Sequence, residues 1–161
     1  MREPAGRDEM SFKFAKAVFA FMALPGMVAF AIPFWLSPWR LATGPAHWLG
    51  LPVFALGIFI LLWCVRDFYV AGKGTLAPWT PTRELVTVGL YQYSRNPMYL
   101  GVLTILLGWT LLFMSRTLLI YEVAIAAMFH LRVILGEEPW LARTHGEKWI
   151  AYKAQVPRWF L

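Results

Sequence analysis

At 161 residues, with 59% hydrophobic residues, 17% aromatics and a net charge of +6, the chain has the length of one domain and a far more apolar composition than soluble proteins show. A mean hydropathy of +0.54 and nine tryptophans point to a membrane protein, because tryptophan collects where a lipid interface accepts both its ring and its N–H. The basic residues flank apolar runs instead of lining one soluble face, which argues against nucleic acid and for membrane lipids as partners.

In chain order, the charged start "MREPAGRDEM" precedes an apolar run with no small-residue cleavage site, so the run reads as a retained first span and not a signal peptide. Four segments, about 14–36, 47–68, 98–114 and 117–136, approach the length needed to cross a bilayer. The first carries Pro25, Gly26 and Pro33 and should kink, which lipid tolerates when neighbouring helices satisfy the freed carbonyls. The second holds the single cysteine, Cys64, read as a buried core residue, and ends at Arg66 and Asp67, which mark arrival at the interface. A Gly-, Pro- and Thr-rich loop follows, of a length more often functional than passive. The third and fourth spans are separated by "MSRT", which forces a tight antiparallel hairpin. The tail alternates aromatics with charges, and about 138–154 reads as an amphipathic interfacial helix anchored by Trp140, Trp149 and Tyr152.

The expected fold is thus all-α, a polytopic membrane bundle forming a single domain over 1–161. Thirteen of the fifteen Lys and Arg residues fall at the N-terminus, in 66–97, or from the end of the fourth span onward; only Arg40 and Arg116 lie opposite. The positive-inside rule then places both termini and the 66–97 loop in the cytoplasm.

Soluble-enzyme motifs are lacking: the sequence has no P-loop, no dinucleotide fingerprint after a strand and no zinc-like Cys/His spacing. His47, His130 and His145 lie on separate segments, so no metal is expected. What remains is a polar constellation at the cytoplasmic ends of the helices. Glu137 and Glu138 follow the fourth span and suit either a ligand's ammonium or hydroxyl groups or pairing with Arg132 and Arg95. Pro97 suits the first turn of the third helix, which leaves Arg95 and Asn96 just before an N-terminus whose free N–H groups and dipole favour a carboxylate-bearing ligand. Glu122, in the fourth span near its outer-leaflet end and away from this constellation, reads as structural, paired with a polar group on another helix.

"LVTVGLYQYSRNPMYLG", then a hydrophobic hairpin, then "EEPWLARTHGEKWIAYKAQVPRW" resembles the catalytic core of the isoprenylcysteine carboxyl methyltransferase family and its phospholipid methyltransferase relatives, over about residues 72–160. The resemblance implies an integral membrane enzyme that uses S-adenosylmethionine, releases S-adenosylhomocysteine, and methylates a lipophilic acceptor, a phospholipid amine or a prenyl-type carboxylate. It implies that Arg83, Leu85, Val86 and Tyr91 line the cofactor pocket, that Asn96, Pro97, Met98 and Tyr99 wrap the methionine part, and that Glu137 contacts the cofactor. Asn96 stands where many members have His, and Asn cannot titrate. In the prenylcysteine enzymes an Arg four residues before the first Glu is associated with substrate. Here Val133 holds that place and Arg132 is one residue off, a rotation of about 100° on an α-helix, so equivalence requires a distorted turn.

Methyl transfer from a sulfonium needs alignment and water exclusion more than covalent help. A carboxylate acceptor needs only an orienting cation, Arg132, Arg95 or Arg158, whereas an amine must lose a proton, with Glu138 the expected base. The competing readings are a membrane reductase of the sterol-reductase type, which would need a nicotinamide cofactor, and a small non-enzymatic membrane protein.

Overall fold

The computed structural model describes residues 25–40, 45–71 and 85–160. The charged N-terminus, positions 14–24 of the first span, and positions 72–84 of the 66–97 loop, Arg83 among them, lie outside them. Among the described residues every regular element is helical. In chain order these are α1 (Met27–Leu36), α2 (Pro45–Ala71), a short 3-10 turn (Gly89–Gln92), α3 (Pro97–Phe113) and α4 (Arg116–Arg132). A π turn (Val133–Glu137) carries α4 into α5 (Glu138–His145), and α6 (Glu147–Gln155) follows.

The helical stretches His47–Asp67 and Arg116–His145 are long and apolar enough to cross a membrane; α3, at 17 residues, is shorter. Only 22% of each apolar window is buried, unlike the core helix of a soluble protein, and Trp35, Trp48, Ile120 and Leu135 are 70–83% exposed. Surface of that kind suits hydrocarbon.

Helices α2 and α3 form the centre. Their glycines interlock in an antiparallel register: Gly50 faces Leu112, Gly57 faces Ile105, Gly101 faces Leu61 and Gly108 faces Phe54. A Cβ on Gly57 or Gly108 would stand 2.5–2.6 Å from backbone atoms of the other helix, so missing side chains let the backbones touch, as membrane helices require in the absence of a hydrophobic drive between them. Val102, Ile105, Leu106, Ile125 and Phe129 fill the adjoining core with Leu61 and Ala29. α3 passes through Met114, at φ 45°, and Ser115 directly into α4, the expected tight hairpin.

Both π turns have one cause. Met27–Ala31 ends two residues before Pro33, and Val133–Glu137 ends two residues before Pro139. A proline ring collides with the carbonyl four residues earlier and offers no N–H, and a widened turn relieves the collision. At the first turn the neighbours supply the missing donors: Trp109 Nε1 donates to Ala29 O at 2.9 Å and the Tyr121 hydroxyl to Val28 O at 3.0 Å. These bonds dock α1 on the α3–α4 hairpin. Glu122 accepts from the Thr110 hydroxyl at 3.0 Å, the interhelical partner expected of it.

The tail departs from expectation. The segment read as one interfacial helix over 138–154 is two helices, broken at Gly146, whose φ of 50° belongs to the left-handed region. Trp149, expected as a lipid anchor, is 3% exposed; the Arg95 guanidinium lies 5.5 Å from its ring. Tyr152 likewise turns inward and donates to Tyr91 O at 2.7 Å.

Candidate functional site

The site is assembled at the start of α3. Pro97 occupies the first turn, fully buried, and Asn96 takes the cap position with φ −132° and ψ 47° but no capping bond from its side chain. The Asn96 amide instead donates to Arg158 O at 3.0 Å. Around it Ser94 Oγ donates to Arg158 O at 3.3 Å, and the Arg95 backbone N–H donates to Pro157 O at 2.9 Å. Trp159 Nε1 reaches His130 Nδ1 on α4 at 3.2 Å. The C-terminal segment Val156–Trp159 is therefore a strap bound across the mouth of α3.

Glu138 holds the strap's charge. Arg158 donates twice, Nε to Oε1 at 2.8 Å and Nη2 to Oε2 at 2.9 Å, while Arg95 Nη1 donates to Oε1 at 2.8 Å. The side chains of Arg95 and Glu138 are 9% and 12% exposed, which makes this a buried ion triad. Burial pulls the Arg95 guanidinium below its usual range, opposed by the Glu138 charge, whereas the hydrogen bond to Glu138 raises that of Arg158.

Glu137 belongs to a second, more open unit. The Tyr99 hydroxyl donates to Glu137 Oε1, and Arg132 Nε donates to the same oxygen at 2.8 Å. Tyr99 stacks on Phe129 with ring centroids 4.3 Å apart. On a regular α-helix, residues five apart point about 140° from each other. Here the π turn lies between Arg132 and Glu137 and brings them onto one face. The distorted turn that Arg132 required is present, and Pro139 is its cause. Arg132 also lies on an open apolar face of the helix, with Ala124, Ala127, Met128, Leu131, Leu135 and Gly136.

The remaining pocket candidates lie behind α3. Val86 and Tyr91 are buried with Cys64, and Met98 packs against both this cluster and the main core. Leu85 is half-buried. Burial raises the Tyr91 hydroxyl well above its usual range. The sequence-selected residues thus fall into the Arg95–Glu138 triad, the Tyr99–Glu137–Arg132 unit and the Val86–Tyr91 cluster, all at one end of the bundle; Asn96 is turned to the strap.

Two groups escaped sequence reasoning. Arg158 appeared only as one of three orienting cations, although it binds Glu138 in bidentate fashion. Asp67, read as an interface marker, is 7% exposed, with Oδ2 buried, unpaired and pressed against Gly89, where a Cβ would stand 1.9 Å away.

A family model described as phospholipid methyltransferase matches residues 45–148, a stretch that includes α2 through α5 and both glutamates. The chain belongs to the phospholipid methyltransferase family. Membership makes it a membrane methyltransferase, with lipid as the class of molecule methylated. The carboxyl-methylating relatives stay a resemblance. No curated protein and no solved structure matches the chain.

Proposed function

We propose that the protein transfers a methyl group from S-adenosylmethionine to the amine headgroup of a bilayer lipid, at a site on the cytoplasmic side of a four-span bundle with both termini in the cytoplasm. The observation that carries this reading is the convergence of Tyr99, Glu137 and Arg132 at the start of α3, across a π turn beside an open apolar face of α4. The donor set fits a cofactor with cationic and carboxylate groups. α3 begins without a side-chain cap, and buried Arg95 Nε lacks a partner, a state that costs free energy until something fills it. Arg83, Leu85, Val86, Tyr91, Met98 and Tyr99 are assigned to the adenosine and methionine surfaces, as the resemblance implies.

Bound there, the cofactor would supply a methyl group on a sulfonium, poised for in-line displacement. The protein's part is positioning. Tyr99 and Arg132 fix one oxygen of Glu137, and the Tyr99–Phe129 stack walls the site from water. The open apolar face of α4 offers the acyl part of a lipid a surface beside Arg132, whose guanidinium suits a lipid phosphate. For an amine acceptor the leaving proton needs an available oxygen. Glu138 already accepts three hydrogen bonds from two guanidiniums, of about four a carboxylate can take, so we assign the role to Glu137 Oε2 and make Glu138 the anchor of the strap.

A calorimetric titration of the purified, folded protein with S-adenosylhomocysteine tests the reading. Saturable binding that is lost in Tyr99→Ala is expected; no heat from a demonstrably folded sample refutes it.

A further inference from the structure

The acids at this end of the bundle are not equally neutralised. Glu137 has Arg132 and Glu138 has Arg95 and Arg158, all at 2.8 Å. Among the described residues Asp67 has no comparable partner. Arg66 Nη1 lies 4.0 Å from its Oδ1, on a side chain that is 73% exposed. Oδ2 is sealed from solvent without a hydrogen bond. A buried carboxylate left in this condition is costly, and the turn it abuts is built to bring it close: Gly89, at φ 60°, has no side chain to hold it off. Gly89 lies between Val86 and Tyr91, which pack on Cys64, one helical turn before Asp67 on α2. The turn that Asp67 abuts is therefore the one that carries Val86 and Tyr91, assigned above to the cofactor, and no close ion pair among the described residues offsets its charge.

We propose that Asp67 supplies the negative field that holds the sulfonium of S-adenosylmethionine, so that the site prefers the cationic donor to its neutral product. The inference rests on the cofactor reading of the preceding section. When the methyl leaves, sulfur keeps the bonding pair and becomes neutral, and the positive charge passes to the acceptor. The attraction then disappears, and S-adenosylhomocysteine is released more easily. For a separation on the order of 10 Å and an effective dielectric constant near 20, one such charge is worth more than roughly ten-fold in affinity. Asp67 acts on the bound ground state, so its loss raises KM for the donor without lowering kcat. It is a positioning residue and not a catalytic one.

The test is the ratio of affinities for S-adenosylmethionine and S-adenosylhomocysteine, measured by equilibrium dialysis on the full chain in lipid nanodiscs, with sinefungin, which carries an ammonium near the sulfur position, as a second cation. Wild-type protein is expected to prefer both cations by roughly ten-fold or more. Asp67→Asn should bring both ratios near unity by weakening the cations while S-adenosylhomocysteine binds within about two-fold of wild type. A wild-type protein that binds S-adenosylhomocysteine as tightly as the cations overturns the proposal without any variant, as does an unchanged ratio in Asp67→Asn. If folded wild-type protein binds none of the three, the cofactor reading itself has failed.

Discussion

Replacing Glu138 with Gln separates an anchoring carboxylate from a chemical one. The substitution keeps size and one acceptor oxygen but removes the charge from a group that receives three guanidinium hydrogen bonds of 2.8–2.9 Å. Arg158, with 31% of its side chain exposed, can turn to water and recover much of its loss. Arg95, 9% exposed and lying against Trp149, cannot. The cost is that of stranding a buried cation, about 3–5 kcal/mol; for a chain of this size that corresponds to roughly 6–20 °C in Tm. Thermal unfolding in nanodiscs, followed by circular dichroism, measures it. Glu147→Gln, on the exposed start of α6, is the control and should stay within about 0.5 kcal/mol. Adding Arg95→Met to Glu138→Gln should return part of the loss, because the stranded charge is gone. A Glu138→Gln protein as stable as wild type but inactive would refute the reasoning and restore Glu138 as the base.

Gly108→Val places a side chain on the Phe54 backbone, 2.6 Å from a would-be Cβ; overpacking of about 1–3 kcal/mol or more is expected, visible as a lowered Tm, and unchanged stability would contradict the close α2–α3 contact. Trp109→Phe leaves Ala29 O without its donor and should cost about 1–3 kcal/mol, with faster proteolysis of α1. The Tyr152 hydroxyl is pushed up to about 12 by burial. Its folded value lies above the unfolded one, near 10, so its contribution is complete below pH 10 and is lost as pH rises toward 12. Tyr152→Phe should remove that part of the alkaline stability loss, and an identical pH profile would refute the Tyr152–Tyr91 bond.

The helices at 47–68, 98–114 and 117–136 were legible to within a few residues, since long apolar runs bounded by proline, serine or charge are strong local signals. The continuity of that last helix past Glu137 was not, because 138–154 read as a separate interfacial helix; the widened turn lets α4 run on past Pro139. The same proline was the available clue that Arg132 could share a face with Glu137. Trp149 and Tyr152 were misplaced because an amphipathic pattern does not reveal whether its apolar face meets lipid or protein. Gly146, which divides that pattern, was the sign that it was two helices. The clustering of Arg95, Tyr99, Glu137 and Glu138 followed from helix ends meeting on one side. That Glu138 is bound by the strap, and that Asp67 folds beneath Gly89, depend on contacts between distant segments that no local window contains.

The most direct test of the account is methyl transfer itself. Purified protein in phosphatidylethanolamine vesicles, supplied with S-adenosylmethionine labelled in its methyl group, should move label into the organic-extractable lipid, and Tyr99→Ala should abolish the transfer. Protein that is folded and binds S-adenosylhomocysteine, yet leaves that lipid unlabelled, would contradict it.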